Sequence, residues 1–425
     1  MSGYLALIAA WLSFEFLHMR WELTWPWLTL GNGMASYPAM LQWYEFTGHL
    51  GGSVWILLLN ILFYEAFIQV RTREKKLRQA ITPFLITLII PVLISLLIFL
   101  TYKEKGKPVE VVVVQPNIDP WNEKFQTPTK TQLDKFLRLS EEQLDSNTEY
   151  LVWPETAFNG DVWVDEFEIS PHVRRLEEFV ARFPKLKLVT GVDSYKEYPD
   201  EEHATVTVRY EPQQNIWYDV FNTALQIDNE QAIQYYHKSK LVPGAERMPY
   251  PGVFKLLEPL AINLGGISGS LGIQDEREVF LNIDSTIGIA PVICYESVYG
   301  EYVSRYIRKG ASLIFIVTND GWWKNTAGHK QHLHYASLRA IETRRDIARS
   351  ANTGISCFID QRGIIHQRQN WWTEASIKSV LYANDRKTFY TRFGDYIGRI
   401  ACAISAILFL LILYRKIFRR KHDLV

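Results

Sequence analysis

A layered α/β sandwich carried between membrane-spanning segments is the fold class this sequence predicts. Three observations lead there. Short β-branched runs such as Val109-Glu-Val-Val-Val-Val-Gln115 alternate with stretches of helical apolar spacing. Hairpin-like pairs interrupt that alternation, which a simple doubly wound sheet would not show. Apolar runs long enough to cross a bilayer lie towards both ends of the chain.

The membrane segments come first. Ile81–Tyr102 is apolar and uncharged, and Ile397–Tyr414 carries only Arg399 near its start. Val54–Val70 is a third candidate, interrupted by Glu65, and Tyr4–Leu17, with Glu15, is a weaker fourth. Tyr4–Leu17 lacks the basic flank and small-residue cleavage site of a signal peptide. Arg71, Arg73, Lys75, Lys76 and Arg78 follow the second candidate; Arg415, Lys416, Arg419, Arg420 and Lys421 follow the last. The positive-inside rule puts both clusters in the cytoplasm. The expected organisation is a membrane domain over 1–102, with about three spans and an aromatic-rich external loop. An extracytoplasmic domain over 103–391 follows, and then a C-terminal span with a basic cytoplasmic tail over 392–425. The loop aromatics Trp21, Trp25, Trp27, Trp43 and Tyr44 suit an interfacial belt.

Within the large domain, strands are expected at Val109–Gln115, Tyr150–Pro154, Leu186–Val192, Thr205–Tyr210 and Phe221–Ile227. Others are expected at Gln231–His237, Ile287–Ile293, Leu313–Thr318, Gly354–Asp360 and Ser376–Tyr382. Helical spacing marks Thr131–Leu144, His172–Phe183 and a long stretch, Gln331–Arg349. With 46 basic and 46 acidic residues the chain is formally neutral, which argues against nucleic acid as a partner. The three cysteines, Cys294, Cys357 and Cys402, show no disulfide or zinc spacing.

Cys294 ends a buried strand, and small and polar residues then open a helix expected at about Ser297. A thiol there would feel the helix dipole, which favours thiolate, and the Tyr295 N–H could face an oxyanion beside the sulfur. A buried structural cysteine is the alternative. Two further reactive side chains follow apparent strands: Glu155 after Leu-Val-Trp-Pro, and Lys238 after Gln-Tyr-Tyr-His. Strand ends at one sheet edge are where α/β sites assemble. Together the three supply a general base, an oxyanion-stabilising cation and a nucleophile.

These residues lie in motifs that resemble the nitrilase superfamily and, within it, the apolipoprotein N-acyltransferase family. Val113-Val-Gln-Pro-Asn-Ile118 is similar to the family's first strand, Trp153-Pro-Glu-Thr156 to its base motif, and Tyr236-His-Lys-Ser-Lys-Leu-Val-Pro243 to its lysine motif. Ile293-Cys-Tyr-Glu296 resembles the nucleophile motif. Thr318-Asn-Asp-Gly-Trp-Trp323, the stretch with Gln331-His332 and Arg339-Ala340, and Thr388-Phe-Tyr-Thr-Arg-Phe-Gly-Asp395 extend the likeness over nearly the whole chain. The resemblance implies a nitrilase-like αββα sandwich inserted between transmembrane helices. It implies a catalytic triad of Glu155, Lys238 (rather than Lys240) and Cys294, supported by Glu246, Tyr295, Glu296, Asn319 and Trp322, with no metal and no organic cofactor. The implied reaction moves an acyl group from a glycerophospholipid to a diacylated apolipoprotein, outside the cytoplasm at the inner membrane of a bacterium. A membrane-tethered amidase and a non-catalytic relative are the competing readings.

Two departures stand out. The family's Pro-Phe-Gly-Glu is here Pro243-Gly-Ala-Glu246, with the glutamate in register. Family members usually carry more spans, and the resemblance places the missing ones before Met1. His329, His332 and His334 fit structural roles better than metal ligation, having no clear carboxylate partner. Trp322 and Trp323 suit a lid over the site or simple packing. The apolar stretch Val253–Leu264 suits either an interfacial helix or ordinary core.

Overall fold

The computed structural model describes residues 2–250 and 270–422, so the apolar stretch Val253–Leu264 lies outside the described residues. The chain divides into two compact units, residues 103–387 and residues 1–102 with 388–425.

The helical unit begins with α1, Ser2–His18, α2, Tyr44–Arg71, and α3, Leu77–Thr101. Helices α2 and α3 and the apolar helix over Tyr396–Ile417 are long and apolar enough to cross a membrane; α1 is apolar but shorter. Both carboxylates that interrupt these apolar stretches are partnered, as lipid-facing segments require. Glu15 accepts from Ser53 Oγ at 2.6 Å and from the Leu30 N–H at 2.9 Å, and Glu65 accepts from the Tyr4 hydroxyl. Helix α2 kinks at Gly48, whose φ of 62° and whose closeness to the Tyr390 ring leave no room for a side chain.

The second unit is a sandwich of two sheets. Its first elements are β1, Lys107–Gln115, α4, Thr129–Glu141, β2, Tyr150–Val152, β3, Phe158–Trp163, α5, Pro171–Val180, and β4, Lys187–Tyr198. Next come β5, Arg209–Glu211, β6, Ile216–Ile227, β7, Gln234–His237, β8, Phe280–Leu281, and β9, Gly288–Ile293. The last part contains α6, Gly300–Arg308, β10, Leu313–Thr318, α7, Gly328–Thr343, β11, Ile347–Ala351, β12, Cys357–Ile359, β13, Ile365–His366, and β14, Ala375–Ala383. The helical unit resumes with α8, Phe389–Phe393, and α9, Tyr396–His422.

One sheet runs β14-β1-β2-β4-β6-β5, with β3 on β4 and β7 on β6; the other runs β13-β12-β11-β10-β9-β8. The sheets face one another: β1 packs on β11 and β6 on β9, and the Tyr150 and Phe315 rings meet edge-on at 5.3 Å. Helices α4 and α5 cover the first sheet, and α6 and α7 the second. This is the αββα order, and it explains why residues 111–114 of β1 and 313–317 of β10 read as unbroken apolar runs: strands buried on both faces need no polar alternation. Leu133, Phe136 and Leu139 of α4 and Val173, Leu176 and Val180 of α5 close the outer core against Val112, Val114 and Leu188.

Two expected elements differ. Gln331–Arg349 is not one helix. α7 ends where Arg344 adopts φ 51°, and Ile347–Ala351 is a parallel neighbour of β10. The charged residues at the end of that stretch are buried and bonded: Arg345 donates to carbonyls of Ala311 and Thr343, and Arg349 to that of Ile355. Thr205–Tyr210 is strand only from Arg209. The hydroxyls of Thr205 and Thr207 both bond the Asp219 carboxylate, and this local bonding competes with a ladder.

The basic clusters after α2 and in α9 generate a topology prediction. A reporter active only outside the cytoplasm, inserted at exposed Glu202, is expected to be active. Activity of a cytoplasm-only reporter there instead would reverse the orientation.

Candidate active site

Glu155 lies just past β2. The Trp153 N–H bonds Val189 O at 2.9 Å and the Ala157 N–H bonds Gly191 O at 2.7 Å, so the turn is stitched to β4. Gly191 is needed there: a Cβ would lie 2.7 Å from the Glu155 Cα. Lys238 follows β7, with its N–H on Asn222 O at 2.8 Å. Its ammonium, fully buried, lies 2.9 Å from Glu155 Oε1 and 2.7 Å from Glu246 Oε1. Asn222 Nδ2 donates to Glu155 Oε1 at 2.7 Å, and the Asn319 N–H to Glu155 Oε2 at 3.0 Å. Glu246 Oε2 accepts from the Val242 N–H at 2.7 Å. Glycine and alanine in place of the family's pattern at 244 and 245 therefore leave the glutamate on the lysine.

Cys294 ends β9 with φ 47°, a left-handed conformation costly for a residue with a Cβ. The helix expected at Ser297 begins only at Gly300; Cys294–Val298 is a single 3-10 turn. The thiol therefore does not sit at the N-terminus of an α-helix. Burial and the Glu155 charge push the Cys294 thiol well up, outweighing Lys238. The expectation of a dipole-stabilised thiolate fails for that reason: the desolvated sulfur stays protonated at neutral pH.

The carboxylates behave oppositely to one another. Burial raises both, but the charge of Lys238 and the hydrogen bonds from Lys238 and Asn222 bring Glu155 below its ordinary value. Glu246 stays raised, because burial and the nearby Glu155 charge outweigh Lys238. Lys238 is lowered by burial but held well above its usual value by Glu155, Glu246 and then Cys294. The arrangement thus presents an ionised carboxylate, an ammonium and a neutral thiol within mutual electrostatic reach.

The supporting residues take distinct positions. Glu296 is fully buried and clamps the nucleophile turn to the lysine strand. Its carboxylate accepts from the Ile293 N–H at 3.0 Å, the Ser239 N–H at 2.8 Å, and the Tyr236 and Tyr302 hydroxyls at 2.7 Å each. Tyr295 packs edge-on against Tyr299 at 5.3 Å. Trp322 meets Trp121 edge-on at 5.1 Å, with Lys324 over the Trp121 ring. Lys240 points elsewhere, its ammonium 5.3 Å from the Tyr299 centroid. His329 stacks on Trp371 at 3.9 Å. Among the described residues there is no cluster of three or more groups suited to a metal ion.

Sequence reasoning missed Asn222, whose signal was an amide inside the apolar run Val-Phe-Asn-Thr-Ala-Leu. It also missed Lys124 and Asp193. Lys124 is buried and donates to the Thr156 hydroxyl, and burial lowers its pKa against the pull of Asp193 and Glu155. Burial raises Asp193 to about 6. A cavity of about 570 Å³ lined by Lys196, Tyr198, Phe221, Tyr235, His237 and Gln274, among others, does not include the nucleophile.

Two measurements check this electrostatic picture. Lys238→Met leaves two buried carboxylates facing each other and is expected to cost about 3–5 kcal/mol in denaturant unfolding; adding Glu246→Gln should return part of it. Alkylation of Cys294 by iodoacetamide in the substrate-free protein should be slow at pH 7 and still rising above pH 9, since a raised thiol pKa means thiolate appears only in alkali. A plateau near neutrality would contradict the raised thiol.

The match to the carbon-nitrogen hydrolase family agrees with this fold. The carbon-nitrogen hydrolase family matches residues 110–386, and the apolipoprotein N-acyltransferase N-terminal domain matches residues 1–62. An apolipoprotein N-acyltransferase of Chlorobaculum tepidum is 30% identical over 423 residues, covering 98% of this chain and 78% of that protein. One of Thermotoga maritima is 25% identical over 409 residues, covering 95% and 70%. A solved nitrilase-superfamily structure from Saccharomyces cerevisiae is 18% identical, covers 66% of this chain and 92% of its own, and superposes with a TM-score of 0.44. The chain belongs to the apolipoprotein N-acyltransferase family, with a carbon-nitrogen hydrolase domain as its larger unit.

Proposed function

We propose that this protein transfers a fatty acyl group from a glycerophospholipid, through a thioester on Cys294, to the α-amino group of the diacylglyceryl-cysteine that begins a lipoprotein. The observation that carries the mechanism is the buried Glu155–Lys238–Glu246 cluster acting electrostatically on Cys294. Family membership supports the acyl chemistry and the lipid and lipoprotein substrates. The bilayer holding the helical unit supplies the donor, and the domain over 103–387 works outside the cytoplasm, at the inner membrane of a bacterium.

In the first half-reaction, Glu155 takes the Cys294 proton as the sulfur attacks the ester carbonyl carbon. The carbonyl oxygen becomes an oxyanion held by the Lys238 ammonium and the Tyr295 N–H. When it collapses, the C–O ester bond breaks, and Glu155 returns the proton to the departing lyso-lipid oxygen. In the second half-reaction, the neutral amine attacks the thioester carbon, Glu155 takes its proton, the C–S bond breaks, and the sulfur recovers a proton. Glu246 keeps Lys238 aimed between the two steps. The resting thiol suits this sequence, because deprotonation then accompanies attack and no thiolate is stored.

Phospholipid without acceptor is expected to add one fatty-acyl mass to the Cys294 peptide, which hydroxylamine removes and Cys294→Ala never gains. Kinetics with both substrates should be ping-pong. Glu155→Gln and Lys238→Ala should each reduce transfer by roughly 10²–10⁴-fold, while Lys240→Ala keeps it. Acylated acceptor without any adduct would exclude the thioester; an adduct that only water discharges would make the protein an amidase-like hydrolase.

A further inference from the structure

The turn after Ile293 is held on two sides, and the proposed catalytic steps use only one of them. Beneath the nucleophile turn lies a second buried network. His332 of α7 places Nε2 3.0 Å from the Cys294 carbonyl oxygen and 2.8 Å from Ser297 Oγ. The Ser297 hydroxyl also donates to that carbonyl, at 2.7 Å. The other ring nitrogen, Nδ1, lies 2.9 Å from Asp320 Oδ1. Carbonyl and carboxylate oxygens only accept, so Nε2 donating to Cys294 O while Nδ1 holds Asp320 takes a proton on each ring nitrogen. Asp320 is in turn held by Arg349 at 2.7 Å and by the Thr318 hydroxyl at 3.0 Å. His332, Asp320 and Arg349 are each no more than 1% exposed in their side chains.

The Cys294 carbonyl belongs to the same peptide unit as the Tyr295 N–H. A trans peptide is planar, and its C=O and N–H point in opposite directions. Fixing the carbonyl on the α7 side therefore fixes the direction of the N–H on the other. We propose that His332, oriented by Asp320 and Arg349, is a positioning residue that aims the Tyr295 N–H at the oxyanion by anchoring the Cys294 carbonyl. This rests on the acyl-transfer reading above and extends it to a residue that touches neither substrate nor sulfur. The left-handed φ of Cys294 makes the anchor necessary: a peptide next to a costly backbone conformation rotates unless its neighbours over-determine it.

A test separates aiming the N–H from merely holding the cysteine. Acylation of Cys294 by phospholipid passes through an oxyanion; alkylation by iodoacetamide displaces iodide at a saturated carbon and forms none. Both are read by the mass of the Cys294 peptide in the full chain in detergent. His332→Phe keeps bulk but cannot donate. It is expected to slow acylation by roughly 10²–10³-fold, the usual cost of losing an oxyanion donor, while alkylation stays within about threefold of wild type. His332→Gln, which can still donate to the carbonyl, should recover at least about tenfold of the lost acylation. Asp320→Asn, a milder change should His332→Phe not fold, should also lower acylation selectively. Equal acylation by wild type and His332→Phe overturns the proposal. So does a proportional fall in acylation and alkylation, which would make His332 a packing residue. If the wild type itself forms no thioester, the acyl-transfer reading falls first and this proposal falls with it.

Discussion

A lysine ammonium buried between two carboxylates is the constraint on which the catalytic unit depends. Taking Lys238 out of water costs several kcal/mol unless its charge is met with good geometry (about this size for any buried ion). Glu155 and Glu246 meet it at 2.9 and 2.7 Å. That requirement explains otherwise unrelated details: the close approach of Gly191 to Glu155, the amide of Asn222 in an apolar strand, and the Val242 N–H that holds Glu246. Each removes freedom from one of the two carboxylates. The lysine is thus placed before any substrate arrives, so the oxyanion interaction proposed for it needs no reorganisation.

The same cluster sets the state of the nucleophile. Burial first, and then the Glu155 and Glu246 charges, outweigh the one ammonium, and the thiol keeps its proton. In the proposed reaction, charge appears on the substrate oxygen only as the sulfur attacks, and at that moment Lys238 gains an anion to stabilise while Glu155 becomes neutral. The electrostatics therefore favour the transition state over the resting enzyme, which is the difference that accelerates a reaction. A helix dipole acting on the sulfur would have stabilised the ground-state thiolate instead, and the 3-10 turn at Cys294–Val298 avoids that.

Most of the sandwich was legible because its central strands are β-branched and apolar: Val109–Gln115 and Leu313–Thr318 were found almost to the residue. The strand ends then pointed to Glu155, Lys238 and Cys294. What was not legible is polar and buried. Helical spacing carried the expected helix through Arg349, yet residues 347–351 form a strand beside β10, and Arg344, Arg345 and Arg349 are all at most 2% exposed. Their partners include the Ala311 carbonyl and the Asp320 carboxylate from earlier in the chain, which no local periodicity encodes. The roles of Glu296 and His332 were hidden for the same reason. Each is explained only by atoms brought to it by another strand or helix.

Those two residues show how the fold distributes its work around three consecutive positions. Glu296 ties the nucleophile turn to the lysine strand through Ile293 and Ser239. His332 ties it to α7 through the Cys294 carbonyl. Between them the sulfur occupies a site with little water: Cys294 is 9% exposed, Glu155 5% and Lys238 1%. Dryness bears on the acceptor as well as on the charges. In the proposed mechanism the acid–base step is indifferent to whether an amine or a water molecule surrenders its proton to Glu155, since both are weak acids activated by attack. An acceptor carried on a lipid anchor is held near the thioester by its own binding energy, whereas water must be admitted to a site that excludes it. On the proposed mechanism, discrimination for the amine therefore follows from burial and tethering, and it asks for no catalytic group beyond Glu155, Lys238 and Cys294.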